Sequence, residues 1–323
     1  MINISLMEYD DIPRAINLWE TQFNNYCYCS VIPNFIDGGQ TLIESYIKEQ
    51  INKCNAIVAK IDNNIVGFMA WMYFDFHNER TAFLPIVGHA ASLRDEWGIY
   101  QEMYDYASNR WVIDNRFNHL WMTYFDDETL KNSLYDLGFG SYVIDACQST
   151  GEVRSFVKSE YKITYANKND VDALYEFAKT INEYYANSPI FLIRNEHTKD
   201  ELIDLICKDY VLIAWDNGNV IGVMGLTINQ DFHFEHLTTP DSAYIKSIGA
   251  YIHPEYRRKG IGTCLLEKVF TLCSEQGKPF IHVSFESSNS NAIRFWPKHF
   301  KPVIRSVRRT INKDANNLWA KDR

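Results

Sequence analysis

The chain has 323 residues, 46% of them hydrophobic, and lacks the run of about 18 apolar residues that a membrane span requires. Its net charge of −9 excludes the basic footprint of a nucleic-acid-binding protein and favours cationic substrates such as amines. Seven cysteines without metal-site spacing, and an N-terminus without a signal-peptide layout, predict a cytoplasmic protein.

The chain begins with a predicted strand, helix and β-hairpin. Residues 4–19 (ISLMEYDDIPRAINLW) predict a short strand and then an amphipathic helix with Asp11 near its start. Ile57–Met69 (IVAKIDNNIVGFM) has two apolar runs around an Asp/Asn turn, which is typical of a hairpin. A strand at Phe83–Ser92 and a helix containing Ile99–Ala107 follow.

The same pattern returns in the second half. Residues 163–177 (ITYANKNDVDALYEF) place Asp170 as far from their opening isoleucine as Asp11 lies from Ile4. Leu212–Met224 (LIAWDNGNVIGVM) matches the earlier hairpin step by step. Because the matches occur in the same order, we predict two domains of one fold, 1–150 and 160–323, joined around residues 149–161.

A basic, glycine-containing loop is the most distinctive feature of the second half. His253–Glu267 (HPEYRRKGIGTCLLE) follows a predicted strand at Tyr244–Ile252 and leads into an apolar, helix-spaced run. A helix start carries free N–H groups, and Gly260 and Gly262 let a ligand approach the backbone, so the loop predicts a phosphate site. A solvated basic loop before a surface helix is the alternative.

The loop fits neither G-x-x-x-x-G-K-[ST] nor G-x-G-x-x-G, which argues against a P-loop and a dinucleotide site. It resembles the acyl-CoA pyrophosphate loop of the GNAT N-acetyltransferases, V-x-P-x-x-R-x-x-G-x-G/A, over residues 252–262. Residues 282–296 (HVSFESSNSNAIRFW) resemble that family's strand followed by N-x-x-A-x-x-F-Y, with Trp296 in place of the tyrosine. The resemblance covers roughly residues 160–310.

The resemblance implies an α/β (α+β) protein of two tandem GNAT-like domains. Each would have a mixed, mostly antiparallel central sheet flanked by helices. It implies acetyl-CoA as cosubstrate and no metal. The residues that it assigns to acetyl-CoA are Ile252 (through its backbone), Arg257, Arg258, Lys259, Gly260, Ile261, Gly262, Thr263, Asn289 and Trp296.

The first half departs from this pattern at the corresponding loop. Its closing YDLGFG (135–140) is like the family's K-x-G-F, but LRDEWG (93–98) keeps one glycine and has Asp95 and Glu96 near the site. Carboxylates would repel a pyrophosphate, so we predict a degenerate copy that does not bind CoA in this manner and shapes the acceptor site.

The family's acid and base positions are also changed. Trp296 cannot act as an acid near neutral pH, and two glutamates used by some members align with Lys246 and Ser284. Strand alternation places Glu286 on the face of Ser284, and Tyr244 on that of Lys246. Glu286 is therefore the candidate base and Tyr244 the candidate acid, with a chain of waters as the alternative.

Two further stretches have open interpretations. Tyr184–Ile193 (YYANSPIFLI) predicts an aromatic acceptor wall or a part of the interdomain core. Cys27-x-Cys29 and His233-x-x-His236 each bring two potential metal ligands together, but no third ligand accompanies either pair, so we predict no metal.

We therefore expect an acetyl-CoA-dependent N-acyltransferase, active in the second domain, that acts on a primary amine of a small molecule or peptide. We expect a monomer or homodimer. The changed acid and base positions leave two alternatives, a non-catalytic acyl-CoA sensor or scaffold and a phosphate-binding regulatory module.

Overall fold

A computed structural model of the chain describes residues 2–26, 31–94, 96–151, 160–187, 189–228 and 230–315. None of the helices in these ranges combines the length and apolar character that a bilayer crossing requires. Cys27, Cys29, Asp95 and most of the predicted junction at 149–161 lie outside the described residues.

The first half alternates strands and helices. Its strands are β1 (Asn3–Leu6), β2 (Ala56–Ile61), β3 (Asn64–Ala70), β4 (Met72–Phe76), β5 (Glu79–Leu84), β6 (His89–Ala91), β7 (Asn118–Tyr124) and β8 (Gly140–Ser149). Its helices are α1 (Ile12–Tyr26), α2 (Ile36–Asn52), α3 (Glu96–Ile113) and α4 (Glu128–Asp136).

The second half repeats this order without a counterpart of β4. Its strands are β9 (Lys162–Tyr165), β10 (Tyr210–Asp216), β11 (Asn219–Leu226), β12 (Ser242–Ile245), β13 (Ala250–Ile252), β14 (Phe280–Glu286) and β15 (Lys301–Thr310). Its helices are α5 (Val171–Ala186), α6 (Lys199–Lys208), α7 (Ile261–Glu275) and α8 (Ser290–Phe295). The predicted α/β class and the two-fold repeat are confirmed.

The two halves exchange their last strands. Each half has its own antiparallel four-stranded sheet, in the orders β1-β2-β3-β6 and β13-β11-β10-β9. A seven-stranded sheet, β12-β14-β8-β15-β7-β5-β4, crosses the whole molecule. In it β8 of the first half pairs with β14 of the second, and β15 of the second half pairs with β7 of the first.

The two predicted hairpins correspond down to their irregularities. Ala59 faces Gly67 and Ala214 faces Gly222, and in both hairpins the register shifts directly after the alanine. A Cβ on Gly67 would lie 2.5 Å from Ile99 of α3, while one on Gly222 would lie 2.5 Å from Ile252. The glycines thus allow a close approach of the next strand or helix, which explains why the repeat keeps them.

Each long strand predicted before a loop is broken in the middle. The strand predicted at Tyr244–Ile252 is instead β12 and β13, separated by four residues in which Ser247 has φ 74° and Gly249 φ 86°. The strand predicted at Phe83–Ser92 breaks after β5, where Pro85 lacks the N–H that a ladder needs. Because of these breaks, the first segment pairs on one side and the second on the other, and the sheet opens into a V in each half.

An aromatic contact joins the halves beside the exchanged strands. Phe232 and Phe234, in the loop before β12, pack with ring centroids 5.8 Å from Phe35 and 5.1 Å from Tyr46 of the first half. Leu237 of the same loop is buried in the core of the first half. The loop is therefore fixed against the first half.

Candidate active site

A cavity of about 590 Å³ opens in the V of the second half, between β13 and β14. Eleven of the twelve residues predicted for the site line it, and Lys259 does not. Those eleven are Tyr244, Ile252, Arg257, Arg258, Gly260, Ile261, Gly262, Thr263, Glu286, Asn289 and Trp296.

The start of α7 forms one end of this cavity. Gly260 is the N-cap residue in the left-handed conformation, with φ 79°. The first intrahelical bond joins Cys264 N to Gly260 O at 3.0 Å, so the N–H groups of residues 261–263 lie before the hydrogen-bonded ladder. These groups and the helix dipole can bind an anion, and the cations Arg258, Arg294 and Lys298 line the same cavity.

Arg257 is held by the protein itself. Its Nε donates to the carbonyl oxygen of Ile252 at 3.0 Å, and its guanidinium lies 4.7 Å from the Tyr184 ring centroid and 5.4 Å from that of Tyr251. In this arrangement Arg257 fixes the loop against β13. Lys259 instead lies over the Tyr256 ring, 4.7 Å from its centroid.

Two tyrosines from the end of α5 line another part of the cavity. Tyr184 donates to Asn289 Oδ1 at 2.9 Å, and Asn289 caps α8 by accepting from Ala292 N at 3.2 Å. Tyr185 packs under Arg194, whose guanidinium lies 4.6 Å from the ring centroid. The structure therefore places both tyrosines at the cavity and not between the halves. Arg194, which also lines the cavity, was not predicted as a site residue.

Glu286 and Trp296 lie on the β14 and α8 side. Burial raises the pKa of Glu286, and Arg194 partly opposes that shift. Trp296 is 6% exposed and packs against Phe295 and Phe300, at 4.9 and 5.5 Å between ring centroids. Glu286 is therefore protonated more easily than a solvent-exposed carboxylate, whereas Trp296 contributes an apolar wall.

A hydrogen-bonded series of four polar side chains starts at the cavity. The Tyr244 hydroxyl is bonded to Ser284, and the Ser284 hydroxyl donates to Oδ1 of Asp145. His236 Nδ1 lies 3.1 Å from the same oxygen. Burial raises the pKa of the Tyr244 phenol, as does the Asp145 carboxylate to a smaller extent. Burial alone would lower the pKa of His236, but Asp145 outweighs it and the net direction is upward.

This series was only partly visible in the sequence. The alternation of β14 identified Ser284 and Glu286 as neighbours on one face, and His282 on that face is buried against Ser242 and Cys147. Asp145 could not be found in this way, because it belongs to β8 of the first half. Only the strand exchange places it opposite Ser284 in the sheet.

The corresponding end of the V in the first half contains carboxyl groups. Glu96, the first residue of α3, is 6% exposed and accepts from Gln22 of α1. Asp127, the N-cap residue of α4, is 1% exposed. Burial and the neighbouring Asp127 raise the pKa of Glu96 to about 8. At this end of the V the first half therefore has buried carboxyl groups, whereas the cavity of the second half is lined by cations.

The His233-x-x-His236 pair does not become part of a metal-binding cluster among the residues that the structure describes. In those ranges no group of three or more His, Cys, Asp or Glu side chains could hold an ion. His233 forms a backbone bridge with Thr238 in the loop before β12, and the side chain of His236 contacts Asp145.

Comparison with known proteins agrees with this geometry. Residues 172–300 match the Acetyltransferase (GNAT) family. A GCN5-related N-acetyltransferase from Sphaerobacter thermophilus superposes with a TM-score of 0.58 at 12% identity, over 96% of each chain. The glucosamine N-acetyltransferase region of a fungal multi-domain GH3 beta-N-acetylglucosaminidase gives a TM-score of 0.50 at 15% identity, over 96% of this chain and 38% of the other. A tandem GNAT protein from the clavulanic acid biosynthesis pathway gives 0.49 at 11%, over 96% and 98%.

The matched segment, which lies in the second half, is similar to a family of acetyltransferases. Residues 172–300 carry the family match, and over the whole chain the likeness to the solved GCN5-related structure is one of fold. At these identities the solved structures establish the fold alone, and no curated protein matches the sequence directly.

Proposed function

We propose that this protein is an acetyl-CoA-dependent N-acyltransferase whose second half is active and acts on a primary amine of a small molecule or peptide. The observation that carries the proposal is that several features line one and the same cavity. They are the α7 start, the cationic loop and the polar side chains of β12 and β14. We place the protein in the cytoplasm, with no metal, as a monomer or homodimer.

Acetyl-CoA supplies the activated acyl group as a thioester. The residues present fit its diphosphate: the N–H groups of residues 261–263 and the side chain of Arg258 converge on one end of the cavity. Arg257 acts by fixing the loop that presents them. The Ile252 carbonyl already accepts from Arg257, so its N–H side and the open edge of β13 remain for the cosubstrate.

An ammonium substrate must lose a proton before its nitrogen can attack. Glu286 is the candidate base for this proton, because it lines the cavity and its pKa is raised towards the working pH. The acceptor is positioned by side chains that line the same cavity, namely Arg194, Tyr184 and Tyr185. Tyr244 is the candidate acid for the leaving sulfur, since its phenol stays protonated.

Thiol release from acetyl-CoA, measured across a panel of primary amines, tests the proposal. We expect release that depends on the amine, together with a thermal shift on adding acetyl-CoA or CoA but not ATP. Thermal stabilisation by acetyl-CoA without transfer to any amine would instead favour a sensor or scaffold. The observation that favours this second candidate is Trp296, which replaces the family's acid and is packed as a core residue. Stabilisation by ATP and CoA alike would favour a phosphate-binding module.

A further inference from the structure

We propose that Asp145 of the first half, through Ser284, is the proton acceptor behind Tyr244 and so completes the acyl-transfer site of the second half. The proposal rests on the proposed function and extends it. Tyr244 is then the group that meets the reacting atoms, while Ser284 and Asp145 are positioning residues behind it.

The direction of the hydrogen bonds carries this inference. Ser284 has one hydroxyl proton, and it donates that proton to Asp145. The bond between Tyr244 and Ser284 must then use the phenol proton of Tyr244. This leaves the Tyr244 oxygen lone pairs as acceptors at the cavity, so the series is oriented to take a proton from a substrate.

The burial of Asp145 gives the series a defined end. Its side chain is 4% exposed, whereas that of His236 is 29% exposed. No hydrogen-bond partner of Asp145 Oδ2 is found among the residues that the structure describes. A buried carboxylate with one oxygen lacking a partner is costly, and replacement by an apolar residue would be the simpler packing solution. A carboxylate kept here and aimed at a cavity residue fits a proton acceptor.

The position of His236 is fixed by the first half as well. Its loop is fastened by Phe232 and Phe234 against α2 and its flank. The other titratable or charged groups that act on this series are Glu235 and Lys246, together with His282 on β14. Burial and His236 lower the pKa of His282 to about 3, so His282 is neutral at the working pH and does not compete for the proton.

The proton count requires two acceptors. An ammonium substrate that becomes an amide loses two protons, and the departing sulfur regains one. Glu286 takes the first proton before attack and passes it to solvent. As the N–C bond forms, Tyr244 takes the second proton while its own moves to Ser284 and that of Ser284 moves to Asp145. As the C–S bond breaks, the same path runs backwards and protonates the sulfur, so the enzyme returns to its starting state.

Ser284→Ala and Ser284→Thr form the matched pair that tests this path. Alanine removes the hydroxyl, whereas threonine keeps it and suits a strand. We expect Ser284→Ala to lower kcat about 100-fold, the lower range for a lost acid–base group, with KM for acetyl-CoA changed less than threefold. Ser284→Thr should stay within about threefold of wild type. The loss in Ser284→Ala should be the same from pH 6 to pH 9, because this proton moves only after attack begins.

Asp145→Asn supplies a readout that needs no substrate. In the free protein, NMR titration of the His236 imidazole should show its pKa lowered by this change, because the Asp145 carboxylate raises it. The double variant Ser284→Ala/Asp145→Asn should be no slower than Ser284→Ala, since both changes interrupt one path.

Three results would overturn the proposal. One is a folded Ser284→Ala protein within threefold of the wild-type kcat, and another is Ser284→Thr no faster than Ser284→Ala. The third is an unchanged His236 pKa in Asp145→Asn. An active wild type with any of these defeats the relay alone, whereas a wild type that releases no thiol with any amine defeats the proposed function and the relay together.

Discussion

The two halves share a strand order, a hairpin register and a V-shaped opening, yet they fill that opening in opposite ways. In the second half, a left-handed glycine exposes the start of α7 and basic side chains surround it. In the first half, the start of α3 bears Glu96, which is buried beside Asp127. From this comparison we predict that the start of one helix decides whether a half binds the cosubstrate, and substitutions at five positions can break or sharpen it.

The largest effect is expected from Gly260→Asp. A carboxylate next to a diphosphate is opposed by about 4 kcal/mol at a separation near 4 Å and a surface dielectric, so the Kd for CoA should rise at least 100-fold. Calorimetric titration with CoA measures the change. Gly260→Asn is the control, because it has the same left-handed strain without the charge, and it should remain within about tenfold of wild type.

The same charge placed in the first half serves as the matched control. Gly98 lies in the first turns of α3, and Gly98→Asp should change the Kd for CoA less than twofold. A large loss of affinity there would mean that both halves bind the cosubstrate.

The next effect is expected from Glu286→Gln. If Glu286 removes the proton from an ammonium substrate, kcat/KM at pH 7 should fall about 100-fold. The loss should shrink as pH rises, because more of the amine is then already neutral. Among the described residues, Arg194, Tyr185 and Tyr142 are titratable groups that interact electrostatically with Glu286. A loss of equal size at pH 7 and pH 9.5 would contradict this role.

A smaller effect, on stability, is expected from Glu96→Gln. The pKa of Glu96 is about 8 in the fold and about 4.5 in an unfolded chain. Its contribution to stability is therefore fully present below pH 4.5 and is lost as pH rises through 8. After allowance for solvent screening, we expect Glu96→Gln to be more stable than wild type by about 2 kcal/mol at pH 9 and about equal at pH 4.5. Urea unfolding at both pH values measures this, and parallel pH dependence in the two proteins would refute it.

The smallest effect is expected at Trp296. Trp296→Tyr restores a phenol where the family has its acid, but Tyr244 already has that role in the proposed site. Turnover with a good amine should change less than about tenfold, and Trp296→Phe should behave in the same way. In both variants the cavity left by the smaller ring should lower the free energy of unfolding by about 1–2 kcal/mol. Steady-state transfer across pH provides the comparison. A gain of more than about 100-fold for tyrosine over phenylalanine would show that the protein lacks a working acid.

What could be predicted from the sequence was local. The hairpins were predictable because each joins adjacent apolar runs, and the Gly260 loop because charge, glycine and helix spacing all lie within a few residues. The residues expected at the cavity came from two local motifs and, for Tyr244, from strand alternation next to one of them, and eleven of the twelve line it.

What could not be predicted depends on pairing between distant segments. Ser284 and Asp145 are 139 residues apart, and nothing near either residue indicates the other. The break between β12 and β13 was missed for a related reason. The apolar run Tyr244–Ile252 has the composition of one strand, and the change of partner strand in its middle is a property of the assembled sheet.

The exchange of β8 and β15 has a consequence for how the protein is made. Arg308 Nε donates to Asn118 Oδ1 across 190 residues of sequence, so β7 must remain without this neighbour until almost the whole second half has left the ribosome. Such distant pairing slows folding, and an unpaired strand edge is prone to associate with other chains. The nascent first half is therefore a natural client for chaperones, and the order of synthesis obliges both halves to complete their folding together.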